Sequence, residues 1–361
     1  MFCRFNHDAA AGQISRGNQG YLTFNKDADL FQPEFDASYE VDLFGGNRRR
    51  VEAQDAAIAA SEADFRDATL TLSAEVARGY VDWRQLQQQL QLSRDTVSAQ
   101  QQLFDITQSQ FRVGIASSFE VAQAETLYKT TAARLPDIER QLEAAGYALS
   151  VLLGETPGKL NDELQETKPM PVPTSLSALD APADVITRRP DVQRAERELA
   201  AATAMQGAAI SEMYPKITLS ALLGIQDTNF YPTTTIWSLG SGLVVPLLNF
   251  GRIEGQIQAS DARQVQAFHT YRQTVLQALA DVETSLSNVA KENQRREALQ
   301  AATDSAERTL SMATSRYQQG LSDFTDVLQA DQQSYSAKSN LVASQAGVIK
   351  DIIALHKALG D

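Results

Sequence analysis

The chain has 361 residues and a formal net charge of −13. An acidic balance of that size argues against nucleic acid as the main partner. No run approaches the roughly 18 consecutive apolar residues of a membrane-spanning helix. Cys3 is the single cysteine, which excludes an intrachain disulfide and a cysteine metal cage.

At the start, Met1-Phe2-Cys3-Arg4 has no apolar core behind it, so no cleavable signal peptide is expected there. Lipid attachment at Cys3 would need a hydrophobic leader. Gly20-Tyr21-Leu22-Thr23-Phe24 is faintly strand-like. Phe35, Ala37, Tyr39, Val41 and Leu43 alternate with Asp36, Ser38, Glu40 and Asp42, which predicts a strand with one apolar face. From about Arg48 to Gln110 there is no proline and one glycine, Gly79. Larger or seam residues recur there at Leu72, Val76, Gly79, Trp83, Leu86, Leu90, Ser93, Val97, Gln100, Phe104, Thr107 and Phe111. Steps of three and four make a heptad seam along one helix of about 60–65 residues, or about 90–100 Å.

The helix is expected to end at Gly114. Ser117 and Glu120 then hold capping-box spacing, opening a return helix over about 118–153. Irregular structure is expected around Pro169, Pro171, Pro173 and Pro182. Thr187-Arg188-Arg189-Pro190-Asp191 opens a further helix running to about Met213, with Pro190 suited to its first turn. Two more alternating segments, 217–226 and 237–247, put apolar residues at odd positions. A second long helix, about Ile253 to Gln318, ends at Gly320, and its return helix spans about 323–359. The carboxylates at the two turns read as helix caps, Asp323 and Asp326 standing where Ser117 and Glu120 stand.

These elements occur twice at one offset. Asp42-Leu43-Phe44-Gly45 returns as Leu248-Asn249-Phe250-Gly251, 206 residues later. Phe111 to Ile115 returns as Tyr317 to Leu321, Val121 to Glu125 as Val327 to Asp331, and Leu152-Leu153-Gly154 as Ala358-Leu359-Gly360. A register held without a gap is a property of long helices, because one inserted residue turns everything after it by about 100°. The repeat sets three sequence segments: a first half over 1–155, a linker over 156–183 and a second half over 184–361.

The strands have the length of transmembrane β-strands, and Tyr214, Tyr231 and Trp237 stand near their ends, where an aromatic girdle would be. Two or three strands cannot close a barrel, and an open edge in lipid leaves backbone groups unpaired at several kcal/mol each. If they enter a membrane, several copies must share one barrel. No phosphate loop, nucleophile–base pairing or metal-ligand spacing is present, and His7, His269 and His356 are scattered. The chain reads as neither an enzyme nor a cofactor protein.

Several motifs together resemble the TolC-like outer-membrane efflux factors, most closely the lipoprotein efflux-pump branch. They are Tyr39 to Gly45, Arg112-Val113-Gly114, Arg188-Arg189-Pro190-Asp191, Tyr214-Pro215, Pro246-Leu247 with Phe250-Gly251, and Lys357-Ala358-Leu359-Gly360. The resemblance implies a mainly α fold with a membrane portion: a long antiparallel helical α-barrel plus strands shared in a trimeric twelve-stranded β-barrel. It implies a homotrimer in the cell outer membrane with a periplasmic extension, docked by a periplasmic adaptor and an inner-membrane pump. Such a duct passes drugs or other small molecules outward without chemistry of its own.

By the same resemblance, Arg112, Val113, Gly114, Ile115, Gly320 and Leu321 form the adaptor-contact tips. Thr325, Asp326, Gln329 and Asp331 are the periplasmic gate candidates, although the family's usual gate aspartate falls on Gln329. Asp36, Glu40 and Asp42 would line the barrel lumen if Phe35, Tyr39 and Val41 face lipid. The sequence departs from the family at its start, which suggests an N-terminal truncation. The alternative readings are a periplasmic coiled-coil adaptor or a cytosolic scaffold.

Overall fold

The computed structural model describes residues 30–160, 169–171, 187–228 and 231–360. The Cys3 region, the faint strand at 20–24 and most of the 156–183 linker lie outside the described residues. In chain order the elements are β1 (Leu30–Phe31), β2 (Glu34–Val41), α1 (Gly46–Arg112), α2 (Ser118–Ala132) and α3 (Leu135–Leu152). Then come α4 (Pro190–Ser211), β3 (Lys216–Thr228), β4 (Tyr231–Val244), α5 (Arg252–Gln318) and α6 (Phe324–Leu359). Among the described residues no helix is long and apolar enough to cross a membrane.

Two compact units form. One comprises the chain up to Ala60 and Glu196–Thr270, the other Ser61–Ala195 and Tyr271–Asp361. Each draws on both halves of the sequence, so the spatial division differs from the segments 1–155, 156–183 and 184–361.

The first unit carries an antiparallel sheet. β3 is its central strand, with β1 and β2 following one another along one side and β4 on the other. Among the described residues β4 has a single neighbour, which leaves its outer side an open edge there. Between β1 and β2 the Pro33 carbonyl accepts a bond from the Ile225 amide at 3.0 Å. A Cβ on Gly224 would lie 2.9 Å from that carbonyl oxygen, so glycine is required for this close approach. β4 begins earlier than expected because Thr233, Thr234, Thr235 and Ile236 favour extended backbone.

The second unit is built on helices. Its buried positions in α1 include Trp83, Leu90, Ser93, Gln100 and Thr107, and in α5 Ala278, Ser285, Val289, Thr303 and Tyr317. Most steps in both sets are whole heptads. The predicted seam residues Leu72 and Phe111 are exposed. Small and hydroxylated side chains at these positions let helices approach closely. A Cβ at Gly146 would already lie 3.6 Å from the Trp83 ring nitrogen.

α1 and α5 each have 67 residues, and both their first residues (Gly46, Arg252) and their last (Arg112, Gln318) stand 206 positions apart. The return segments differ. α6 is continuous over 36 residues, whereas the expected helix over 118–153 is broken into α2 and α3. Pro136 is the cause: it has no N–H for the Ala132 carbonyl, and its ring crowds that carbonyl. The position 206 further on is Val342, which has an amide to give.

Candidate functional site

The register of the sheet sorts its side chains into two chemically different faces, because cross-strand partners share a face. Phe35 pairs with Leu223, which pairs with Trp237; Ala37 pairs with Ala221, which pairs with Leu239; Val41 pairs with Ile217, which pairs with Leu243. The odd-numbered face is therefore apolar, and its large side chains are exposed except the half-buried Val41 and Ile217. On the other face Ser38 pairs with Ser220, which pairs with Gly240, and Glu40 pairs with Thr218, which pairs with Gly242. Asp36 and Glu40 stand on that polar face.

Asp42 does not join them within the strand. It lies one residue past β2, where its carboxylate caps α1. The amides of Asn47 and Arg48 donate to it at 3.1 and 2.8 Å. The Arg48 amide is the main cause that holds this carboxyl below its ordinary range. Four apolar-to-polar alternations ran straight into the cap in sequence, which hid the end of the strand.

The far ends of α1 and α5 close in the same way. Gly114 and Gly320 have φ of 78° and 72°. In one turn the Ile115 amide donates to the Gln110 carbonyl at 2.9 Å; in the other, Leu321 donates to Arg316 at 2.9 Å. These are left-handed helix stops, which favour glycine for its backbone and not for space, since an added Cβ meets nothing within 4 Å. Val113, Ile115 and Leu321 are exposed. Arg112 is exposed and donates to Gln108 at 2.8 Å. Ser117 and Glu120 form the capping box, the Ser117 amide donating to Glu120 at 2.6 Å. Asp323 occupies the corresponding position without a side-chain cap bond.

The four gate candidates separate. Thr325, Asp326 and Gln329 are exposed on α6, while Asp331 is 8% exposed and turned toward α1. Gln100 Nε2 donates to Asp331 Oδ2 at 2.6 Å. Burial pushes the Asp331 carboxyl above its ordinary range, against the Gln100 bond and the charge of Lys338. Asp331 is thus a buried seam residue and not part of an exposed acidic set. Above this pair, the Tyr335 hydroxyl meets Ser93 Oγ at 3.0 Å and accepts from Gln89 Nε2 at 3.2 Å.

Sequence reading took Arg189 only as part of a helix start. In the fold it is 8% exposed and ties three helices together. Its guanidinium bonds Asp191 at 2.8 and 3.0 Å, Asp281 at 3.2 Å and the Ala358 carbonyl at 3.0 Å. The available signal was an arginine directly before a Pro-Asp helix start, which does not name the distant partners.

The comparisons with known proteins agree with this arrangement. The outer membrane efflux protein family model matches residues 4–155 and 181–361. Nodulation protein T of Rhizobium leguminosarum bv. viciae is 30% identical over 352 residues, 97% of this chain and 72% of that protein. The pyoverdine export outer membrane protein OpmQ of Pseudomonas aeruginosa is 30% identical over 338 residues, 93% of this chain and 71% of that protein. The solved outer-membrane channel OprN superposes with a TM-score of 0.89 at 26% identity, covering 99% of this chain and 80% of that one. With a family model matched along most of its length, this chain belongs to the outer membrane efflux proteins.

Proposed function

We propose that the chain is the exit duct of a tripartite efflux pump, a passive path from periplasm to exterior for small molecules. Family membership supports this reading. The observation that carries it furthest is the two-faced sheet: one exposed apolar face, one polar face, and an open edge at β4. Lipid on the odd-numbered face and water on the even-numbered face satisfy both. An open edge is costly in lipid, so strands of further copies complete the barrel. A homotrimer with twelve strands is the assembly proposed, and positions 206 apart are proposed to descend from one duplicated unit.

In this reading Asp36 and Glu40 give the lumen a negative wall that favours cations. The turns at Gly114 and Gly320, with Arg112, Val113, Ile115 and Leu321, meet the periplasmic adaptor. Thr325, Asp326 and Gln329 remain gate candidates. The inner-membrane partner supplies the energy.

The test is reconstitution in planar bilayers together with drug susceptibility of a duct-deficient strain. Trimers in detergent, single-channel conductance and restored resistance are expected. A folded trimer that neither conducts nor restores resistance overturns the proposal. Charge reversal at Arg112 combined with a bulky residue at Gly114 is expected to abolish resistance while trimers persist.

A further inference from the structure

A groove of about 760 Å³ opens between α1, α2 and α6. Two of its lining side chains, Gln100 and Asp331, are 3% and 8% exposed. The bond from Gln100 Nε2 to Asp331 Oδ2 fixes the amide orientation, since the opposite one would set acceptor against acceptor. Gln100 Oε1 is then buried with no donor. Asp331 Oδ1 accepts no hydrogen bond among the described residues, and it keeps contact with solvent at the groove. A buried acceptor without a donor, such as Gln100 Oε1, costs about 1–3 kcal/mol.

Several neighbouring donors are committed elsewhere. The Thr126 and Thr131 hydroxyls donate to the carbonyls of Ala122 and Leu127 at 2.8 and 3.1 Å. Ser339 donates to Gln89 at 3.1 Å. Lys338 of α6 is held by Glu307 of α5 at 2.7 Å. Arg134, on the α2–α3 connection, lies over the Tyr335 ring, 5.6 Å from its centroid. α1 and α2 contribute no ionisable side chain to the lining. Asp331 therefore lines the groove with one unbonded carboxylate oxygen and no ion pair among the described residues, with Gln100 Oε1 buried in the same side-chain pair, beside Phe119, Leu127, Leu328 and the Arg134 side chain.

We propose that this groove binds an organic cation with N–H donors, a primary ammonium or guanidinium on an apolar body, whose head group bonds Gln100 Oε1 and Asp331 Oδ1. Two acceptors in one place match two N–H groups of one head, and the positive charge answers the carboxylate. A free small molecule and a lysine or arginine of a partner helix share this chemistry. The site rests on helix packing and not on the duct reading. Protons compete with the cation, because a protonated Asp331 has its own O–H to offer Gln100 Oε1. Burial already holds that carboxyl high, so binding weakens as pH falls through its raised pKa.

The test uses the full chain in detergent, with Cys3→Ser and a ¹⁹F label on Ser336→Cys at the groove. Butylammonium and butylguanidinium are titrated, with butanol as the neutral control. A saturable shift is expected for the cations alone at pH 8, with binding that weakens as the pH is lowered. Asp331→Asn should abolish it, and Gln100→Met, which retains the carboxylate, should weaken it; melting curves report whether each variant is folded. A helical peptide with one lysine, against its norleucine twin, separates the two sources. A response to the peptide alone assigns the site to a partner side chain, and a response to butylammonium assigns it to a free cation. Equal shifts with butanol, no response to any cation, or full binding by folded Asp331→Asn overturns the proposal. Conductance is not read, so failure here is distinct from failure of the duct.

Discussion

Replacing Arg189 by Met tests whether one guanidinium holds the second unit together. The side chain joins the first turn of α4 through Asp191, the middle of α5 through Asp281 and the last turn of α6 through the Ala358 carbonyl. Gly360, with φ of 85°, lets the chain pass close by: a Cβ there would lie 3.3 Å from the Arg189 Cα. Breaking a buried ion pair from one side costs about 3–5 kcal/mol, because the other charge stays behind. The Asp191 side chain is 22% exposed, so the lower end applies, and Asp281 at 39% is screened and adds little. The carbonyl that loses its donor adds about 1 kcal/mol. Arg189→Met should therefore cost about 3–4 kcal/mol in denaturant unfolding of the helical signal. Arg189→Lys should recover at most half, since one ammonium cannot span two carboxylates and a carbonyl. Arg189→Met with Asp191→Asn should recover about 1–2 kcal/mol by removing the stranded charge. Burial pushes the Asp191 carboxyl up, but the Arg189 bond and charge outweigh it and hold it below its ordinary range. A depressed carboxyl stabilises above its unfolded pKa and ceases to as pH falls through the folded value. The gap between wild type and Arg189→Met should thus be full at pH 7 and shrink in strong acid. A cost under about 1 kcal/mol, a gap that acid leaves intact, or a further loss on adding Asp191→Asn would refute this account.

Three other outcomes follow from the geometry. Asp331 has a raised carboxyl, so its contribution is favourable in acid and lost as pH rises through the folded pKa; Asp331→Asn should melt higher than wild type at pH 8, by a margin that shrinks as the pH falls, read by thermal scans. Spin labels at Leu219 and Leu243 should report lipid and labels at Ser220 and Gly242 water, by oxygen and nickel accessibility; water at all four contradicts the proposed barrel faces. Gly114→Ala and Gly320→Ala should each cost about 1 kcal/mol from positive φ alone and speed amide exchange only at their own turn; a global loss would mean that the turns pack more than they show.

The long helices were legible because a heptad seam needs only local spacing, and Trp83, Leu90, Ser93, Gln100 and Thr107 keep it in the fold. Strand faces were legible because period two survives in the register, odd residues pairing with odd. Boundaries were not. Alternation continues through Asp42 although the strand has ended, and only the spacing of an acid before a helix signalled a cap. Pro136 was a visible break inside the helical pattern of the first return segment. Asp331 and Arg189 were out of reach for another reason. Their partners are 231 and 92 residues away, and a sequence does not state the register between helices.

Differences at matched positions say more about mechanism than the shared frame does. Glu125 and Asp331 stand 206 apart on return helices. Glu125 is partly exposed and pairs with Lys129 one turn away, whereas Asp331 is buried against Gln100 with no cation of its own. Pro136 interrupts one return segment, and Val342 leaves the other continuous. Phe44 stacks on Tyr214 with ring centroids 4.5 Å apart, while Phe250, past the end of β4, is 96% exposed with φ of 50°. An exposed ion pair and a stacked aromatic have their partners within one chain. A buried acid without a cation and a bare aromatic in a strained backbone do not; each carries a cost that a further contact would offset. At these matched positions the first half is satisfied within the chain, and the second half presents groups whose energetics depend on what binds to it.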